Sequence, residues 1–196
     1  MIKGLILLYN VDVSFCTELS DRQTSAGTCI GEKTRIVSVI GDGRCFFRCI
    51  VVNLYHTLLS AHTAGLRSTH ESRSLQEVRL ADDLREAVVS LLSRNCDVLA
   101  EIAERMSFLL DDTYSKQYKS IEERIAAVSQ PATFVGNLEI LAVSYLLRTQ
   151  IHVYKRVDCI FELVAKLPQH RFHEQRPVML LYDEDKKTSL ITSICY

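Results

Sequence analysis

The hydrophobic period of this chain changes once, near residue 149, and that change restricts the fold more than any other feature. Before it, apolar residues recur at helical spacing; after it they alternate or run in short blocks, as strands do. Phe46, Ile50, Leu54 and Leu58 stand four apart and predict a helix from Cys45 to about Ser60. Ser74 and Glu77 have the spacing of a capping box, ahead of a face made by Leu80, Leu84, Ala87, Val88, Leu91 and Leu92. Val98, Ile102, Met106 and Leu109 continue in a further helix. Ser120 and Glu123 form a second box, opening a short helix that ends before Pro131. Leu138, Leu141, Ala142, Tyr145 and Leu146 mark one more, from Asn137 to Arg148. Gln150 to Tyr154, Cys159 to Val164, Pro177 to Tyr182 and Ser189 to Tyr196 then read as strands. Helices in the middle and strands at the end predict an α+β fold, with a small, mainly C-terminal β-sheet flanked by helices.

A length of 196 residues suits one domain. Residues 1–34 read as an N-terminal arm or loop, because residues 16–34 are rich in Ser, Thr and Gly and poor in large apolar side chains. Residues 35–196 form the domain, opening on the short apolar run Arg35 to Ile40. With 47% hydrophobic and 24% charged residues, the chain is not disordered. Lys and Arg number 23 against 24 Asp and Glu, so no net charge draws it to nucleic acid. No apolar stretch reaches the ~18 residues of a membrane span. The apolar run Leu5 to Tyr9 is too short for a signal sequence and is broken by Asn10 and Asp12. A soluble, monomeric, intracellular protein of the cytoplasm or nucleus is expected. The seven cysteines are odd in number and irregular in spacing, which argues for buried thiols and against a disulfide framework. Only His170 and His173 approach metal-ligand spacing, so neither metal nor cofactor is expected.

The sharpest local feature is Gly41-Asp42-Gly43-Arg44-Cys45-Phe46-Phe47-Arg48. Two glycines and an amphipathic stretch put Cys45 at the first turn of a helix. Free amides and the helix dipole there favour a thiolate, the nucleophilic form. The same amides can hold a developing oxyanion. A Gly-rich turn with an incidental buried cysteine is the competing reading. Asp42 would raise a neighbouring thiol pKa, so its expected task is to fix the loop by accepting backbone N–H groups, or to orient a partner. Arg48, one turn on, is expected to pair with an acid inside the fold rather than contact a partner. Glu139 falls in a first helical turn, where dipole compensation accounts for it. Asp111-Asp112 and Asp183 to Lys187 read as solvated turns.

GDGRCFFRCI resembles the signature of the ovarian-tumour (OTU) family of cysteine deubiquitinases, in which Asp-Gly-x-Cys precedes two bulky residues and an Arg. Phe134-Val135-Gly136-Asn137-Leu138-Glu139-Ile140, followed by Ile151-His152-Val153-Tyr154, is similar to the family's Trp-Gly-Gly-x-Leu-Glu-Leu helix and next strand. Phe134 and Val135 depart from the usual Trp and first Gly. Pro177 to Tyr182 resembles a third element, an apolar strand. The likeness spans roughly residues 36–185. It implies a thiol protease fold that cleaves the isopeptide bond after the ubiquitin C-terminus, with ubiquitin or its conjugates as partner. It also implies Cys45 as nucleophile, Asp42 as the companion residue of the active-site loop, and the backbone of Asp42, Gly43, Arg44 and Cys45 as oxyanion site.

The family places a His, the general base, just after the last apolar strand. No histidine follows Tyr182 here, and Lys186-Lys187-Thr188 occupies that region. Of the six histidines, His56 and His62 fall on or past the first helix, His70 in a polar loop, and His152 on a strand. His170 and His173 precede the Pro177 strand. His173 is the remaining candidate base, and it lacks an orienting partner in a family position. A thiol protease without its base is expected to turn over weakly. Two explanations stay open: a pseudoenzyme that binds ubiquitin without cutting it, or a chain whose C-terminal end is truncated or altered.

Overall fold

The computed structural model describes residues 34–39, 41–59, 70–96, 118–157, 160–168, 172, 177–182 and 189–193. Thr34–Ser38 forms strand β1. Helices α1 (Cys45–Leu59), α2 (His70–Arg94), α3 (Ile121–Val128) and α4 (Asn137–Leu147) follow. Strands β2 (Ile151–Val157), β3 (Ile160–Leu167), β4 (Val178–Tyr182) and β5 (Ser189–Ser193) complete the chain order. The strands make one sheet in the order β1-β5-β4-β2-β3. Strands β2 and β4 are parallel and the other neighbours antiparallel. The expected α+β fold is present, and the run at Arg35 to Ile40 supplies the edge strand that pairs with β5. Residues 1–33 of the expected arm, the helix expected from Val98 to Leu109, and His62, His170 and His173 lie outside the described residues. So do Asp111-Asp112 and Asp183 to Thr188.

Helix α1 departs from a one-sided amphipathic helix. Every residue from Cys45 to Val51 is buried, because α2 packs on one side and β4 and β5 on another. Helix α2 contributes Ala81, Leu84, Val88 and Leu92 to the same core. Full burial of a Leu, Ile or Phe in such a core stabilises by about 1.5–3 kcal/mol. Helix α2 begins at His70, ahead of the capping box expected at Ser74. Residues 70–73 contain neither Gly nor Pro, and the Glu77 carboxylate is engaged by Arg48 instead (Oε1 to Nε, 2.6 Å). At α3 half of the expected box forms: Ser120 Oγ accepts from the Glu123 amide, while Glu123 Oε2 accepts from the Lys119 amide, one residue ahead of the cap.

The sheet separates two apolar clusters. Ile151, Val153, Val178 and Leu180 join the main core with Phe46 and Phe47. Tyr154, Leu181, Phe161, Leu163 and Met179 form a second cluster on the opposite face. Pairing of β2 with β3 slips between Val153 and Tyr154, which leaves Val164 as an extra, exposed residue in β3. Among the described residues no helix is long and apolar enough to cross a membrane.

Candidate functional site

Cys45 is the first residue of α1, as its sequence context requires, and the Arg48 amide closes the first turn on the Arg44 carbonyl (2.9 Å). The residue is 2% exposed. It lies within the packed head of α1, next to the core residues Phe46 and Phe47, the burial that the competing reading of this turn expected. Among the described residues, Cys45, Cys49 and Cys96 are in no disulfide. Cys49, one turn further, has its pKa raised well above the ordinary thiol value, chiefly by burial and then by the neighbouring Cys45 and Glu77 charges.

The loop ahead of the cysteine is held from several directions. Asp42 Oδ1 accepts the Arg44 amide at 3.0 Å, the loop-fixing bond expected of it. Asp42 Oδ2 lies 3.3 Å from Arg48 Nη1, and Arg48 Nε donates to Glu77. Arg44 Nε donates to Asp82 Oδ1 (2.8 Å), and that bond raises the Arg44 pKa. Gly43 has φ +79°, a conformation that L side chains rarely adopt, and a Cβ there would collide with the Ala132 carbonyl. Its carbonyl accepts from Arg85 Nη2 at 2.6 Å.

These contacts revise the oxyanion expectation. The Arg44 amide is committed to Asp42 and is not offered to a substrate oxygen in this arrangement. Sequence reasoning also missed Glu77, Asp82 and Arg85. Arg85 carried a readable signal, since it interrupts the apolar stripe Ala81-Leu84-Val88-Leu92. Glu139 proves to be more than a first-turn acid. It is fully buried, takes a two-pronged bond from Arg124 (3.0 and 2.8 Å), and accepts the Gly136 amide at 2.6 Å.

His152 stands on the β2 face opposite Ile151 and Val153, beside Tyr154, with Nε2 3.3 Å from Gln150 Oε1. The sheet therefore lies between this ring and the cluster that holds the head of α1. Burial, with help from Lys166, lowers its pKa to about 4. Among the described residues no group of three His, Cys, Asp or Glu is placed to hold a metal ion.

Residues 40–185 match the family model of OTU-like cysteine proteases, and the chain belongs to that family. It is an OTU protease domain resembling deubiquitinases. The viral OTU domain protease from Dera Ghazi Khan virus superposes with a TM-score of 0.52 at 13% identity, covering 83% of this chain and 82% of that one. An OTU deubiquitinase from Wolbachia pipientis wMel gives 0.50 at 12% identity, covering 83% and 90%. The Qalyub virus OTU domain protease gives 0.50 at 14%, covering 82% and 85%. At these identities the likeness is one of fold. No curated protein sequence matches the chain.

Proposed function

We propose that this OTU domain acts on ubiquitin conjugates through Cys45, with slow turnover. The observation that carries the reading is the placement of Cys45 as the first residue of α1, behind a loop pinned by Asp42 and Arg85. A thiolate there would attack the carbonyl carbon at the ubiquitin C-terminus. The tetrahedral oxyanion would collapse to a thioester, expelling the lysine amine, and water would release ubiquitin and restore the thiol. Expulsion needs a proton donor and hydrolysis a base. The family's His would serve both steps, and residues 183–196 contain none. Attack on a strongly electrophilic carbon needs only the thiolate, so capture is expected to outlast turnover. The Wolbachia neighbour, a deubiquitinase, supports the substrate class.

The burial of Cys45 and the want of that His favour a second reading, in which the domain binds ubiquitin without cutting it. Incubation with ubiquitin carrying a C-terminal thiol-reactive group separates the two. The expected result is a covalent adduct, lost in Cys45→Ala, with little cleavage of ubiquitin chains. Binding without an adduct supports the second reading. Neither binding nor adduct overturns both.

A further inference from the structure

Arg85 sits in the middle of the apolar stripe of α2, four residues beyond Ala81 and three before Val88, and is 3% exposed. A guanidinium taken out of water needs compensating partners. Backbone carbonyls supply them. Nη1 donates to Val128 (2.8 Å), Gln130 (3.0 Å) and Thr133 (3.1 Å). Nη2 donates to Gly43 (2.6 Å) and Pro131 (3.1 Å). The ring of Phe47 lies 4.6 Å from the guanidinium carbon, and Nε has no acceptor among the described residues. Four of the five oxygens belong to the C-terminal end of α3 and the turn after it. Carbonyls there lack helical partners and form the negative end of a helix dipole, which suits a cation. The fifth belongs to the peptide that leads into Cys45.

We infer that Arg85 is a positioning residue for Cys45, fixing the Gly43–Arg44 peptide against the turn at 128–133. The inference rests on Cys45 being the nucleophile. That peptide is held at both ends: its oxygen by Arg85, its N–H by Asp42. One bond would leave it free to rotate, whereas two on opposite edges fix its plane. Rotation of this peptide would re-aim the amide that follows, at the start of α1, and with it the Cys45 side chain. The near-contact of Gly43 with Ala132 shows independently that loop and turn meet backbone to backbone. Arg85 is the side chain that bridges them. Its charge also acts electrostatically with Cys45, in the sense that favours a thiolate. The four N–H groups of Nη1 and Nη2 reach five carbonyls, one of them shared, on both the loop and the turn; a lysine ammonium offers three N–H groups from a single point and cannot span that spread.

The test is Arg85→Lys, followed by mass-spectrometric mapping of iodoacetamide alkylation across pH. Cys49 and Cys96 serve as internal standards, and ubiquitin-electrophile capture runs in parallel. The expected result is alkylation and capture at Cys45 slowed by about 100-fold, the loss typical of a misplaced reacting group. Displacing the positive charge from the loop should also move the pH profile of Cys45 alkylation upward. Cys49 and Cys96 should react as in the parent. An unchanged Cys45, a Cys45 that reacts no faster than Cys49 in the parent, or a joint acceleration of Cys45 and Cys49 from general loosening would each overturn it. Should Arg85→Lys fail to fold, Phe47→Leu keeps the guanidinium and removes the ring beneath it. Cys45 should then slow by about 5-fold, and an unchanged rate overturns the inference. If the parent is not captured by the ubiquitin electrophile, the proposed function fails, while the alkylation comparison still decides the role of Arg85.

Discussion

Asp42 and Arg48 face each other across the first turn of α1, with carboxylate Oδ2 3.3 Å from guanidinium Nη1. The other carboxylate oxygen holds the Arg44 amide, and the other side of Arg48 reaches Glu77 on α2. One buried arginine thus ties the loop before Cys45 to a second helix. Asp42→Asn keeps an oxygen for the amide and loses the charge; Asp42→Ala loses both. The expected destabilisation is about 2 kcal/mol for Ala and about half that for Asn, read from urea midpoints. Equal losses would mean that the amide bond contributes nothing.

Gly43 meets two constraints at once, a positive φ and a neighbouring backbone. An L side chain in the left-handed region costs roughly 1–2 kcal/mol, and the Ala132 carbonyl cannot swing aside as a flexible side chain would. Gly43→Ala is therefore expected to destabilise the domain by about 3 kcal/mol or more, and to abolish ubiquitin capture where the protein still folds. Thermal denaturation with parallel capture assays checks both.

Much of the architecture could be read from spacing, because apolar period is a local property. Helix α4 was expected from Asn137 to Arg148 and spans Asn137–Leu147, with Arg148 as its left-handed cap. The strand at Cys159 to Val164 runs on to Leu167 because pairing with β2 carries it past a bulge. The parallel pairing of β2 with β4 was not legible, since register between distant segments leaves no mark in either one. The same reason hid the site's supports. Asp42 and Cys45 belong to one short motif, whereas the partners of Arg85 are carbonyls of a turn more than forty residues away, and carbonyls have no sequence signature. The sequence left the burial of Cys45 open between two readings, because the spacing of Phe46, Ile50 and Leu54 describes one face of a helix that is enclosed on several.

Arg124 and Glu139 are 2% and 0% exposed and join α3 to the start of α4. Breaking a buried pair on one side strands the other charge, a loss of about 3–5 kcal/mol. Glu139→Gln still offers an oxygen to the Gly136 amide, so it isolates the ionic part. Arg124→Met removes the cation. The double variant is expected to be more stable than the sum of the single losses predicts, by about 1–3 kcal/mol in a denaturant cycle. Additive losses would show that the two side chains stabilise the fold independently.

His152 links stability to pH. The groups around it on its face of the sheet are Gln150, Tyr154, Met179 and Lys166, the last directly opposite on β3. Burial first, then the Lys166 charge, lower its pKa from 6.5 to about 4. The fold therefore favours the neutral ring. Between these two values the unfolded chain binds more protons than the native one, so stability rises with pH across the window. The contribution is complete above about 6.5 and is lost as pH falls toward 4. In His152→Gln the fall in urea midpoint between pH 7 and pH 4.5 should be smaller than in the parent, since other titrating groups act equally in both proteins. Cys45 alkylation at pH 7 should not change, because the ring is neutral there and the sheet separates it from the head of α1. An equal fall in midpoint in both proteins would show that His152 titrates alike folded and unfolded, while slower Cys45 alkylation in the variant would make this histidine a candidate base.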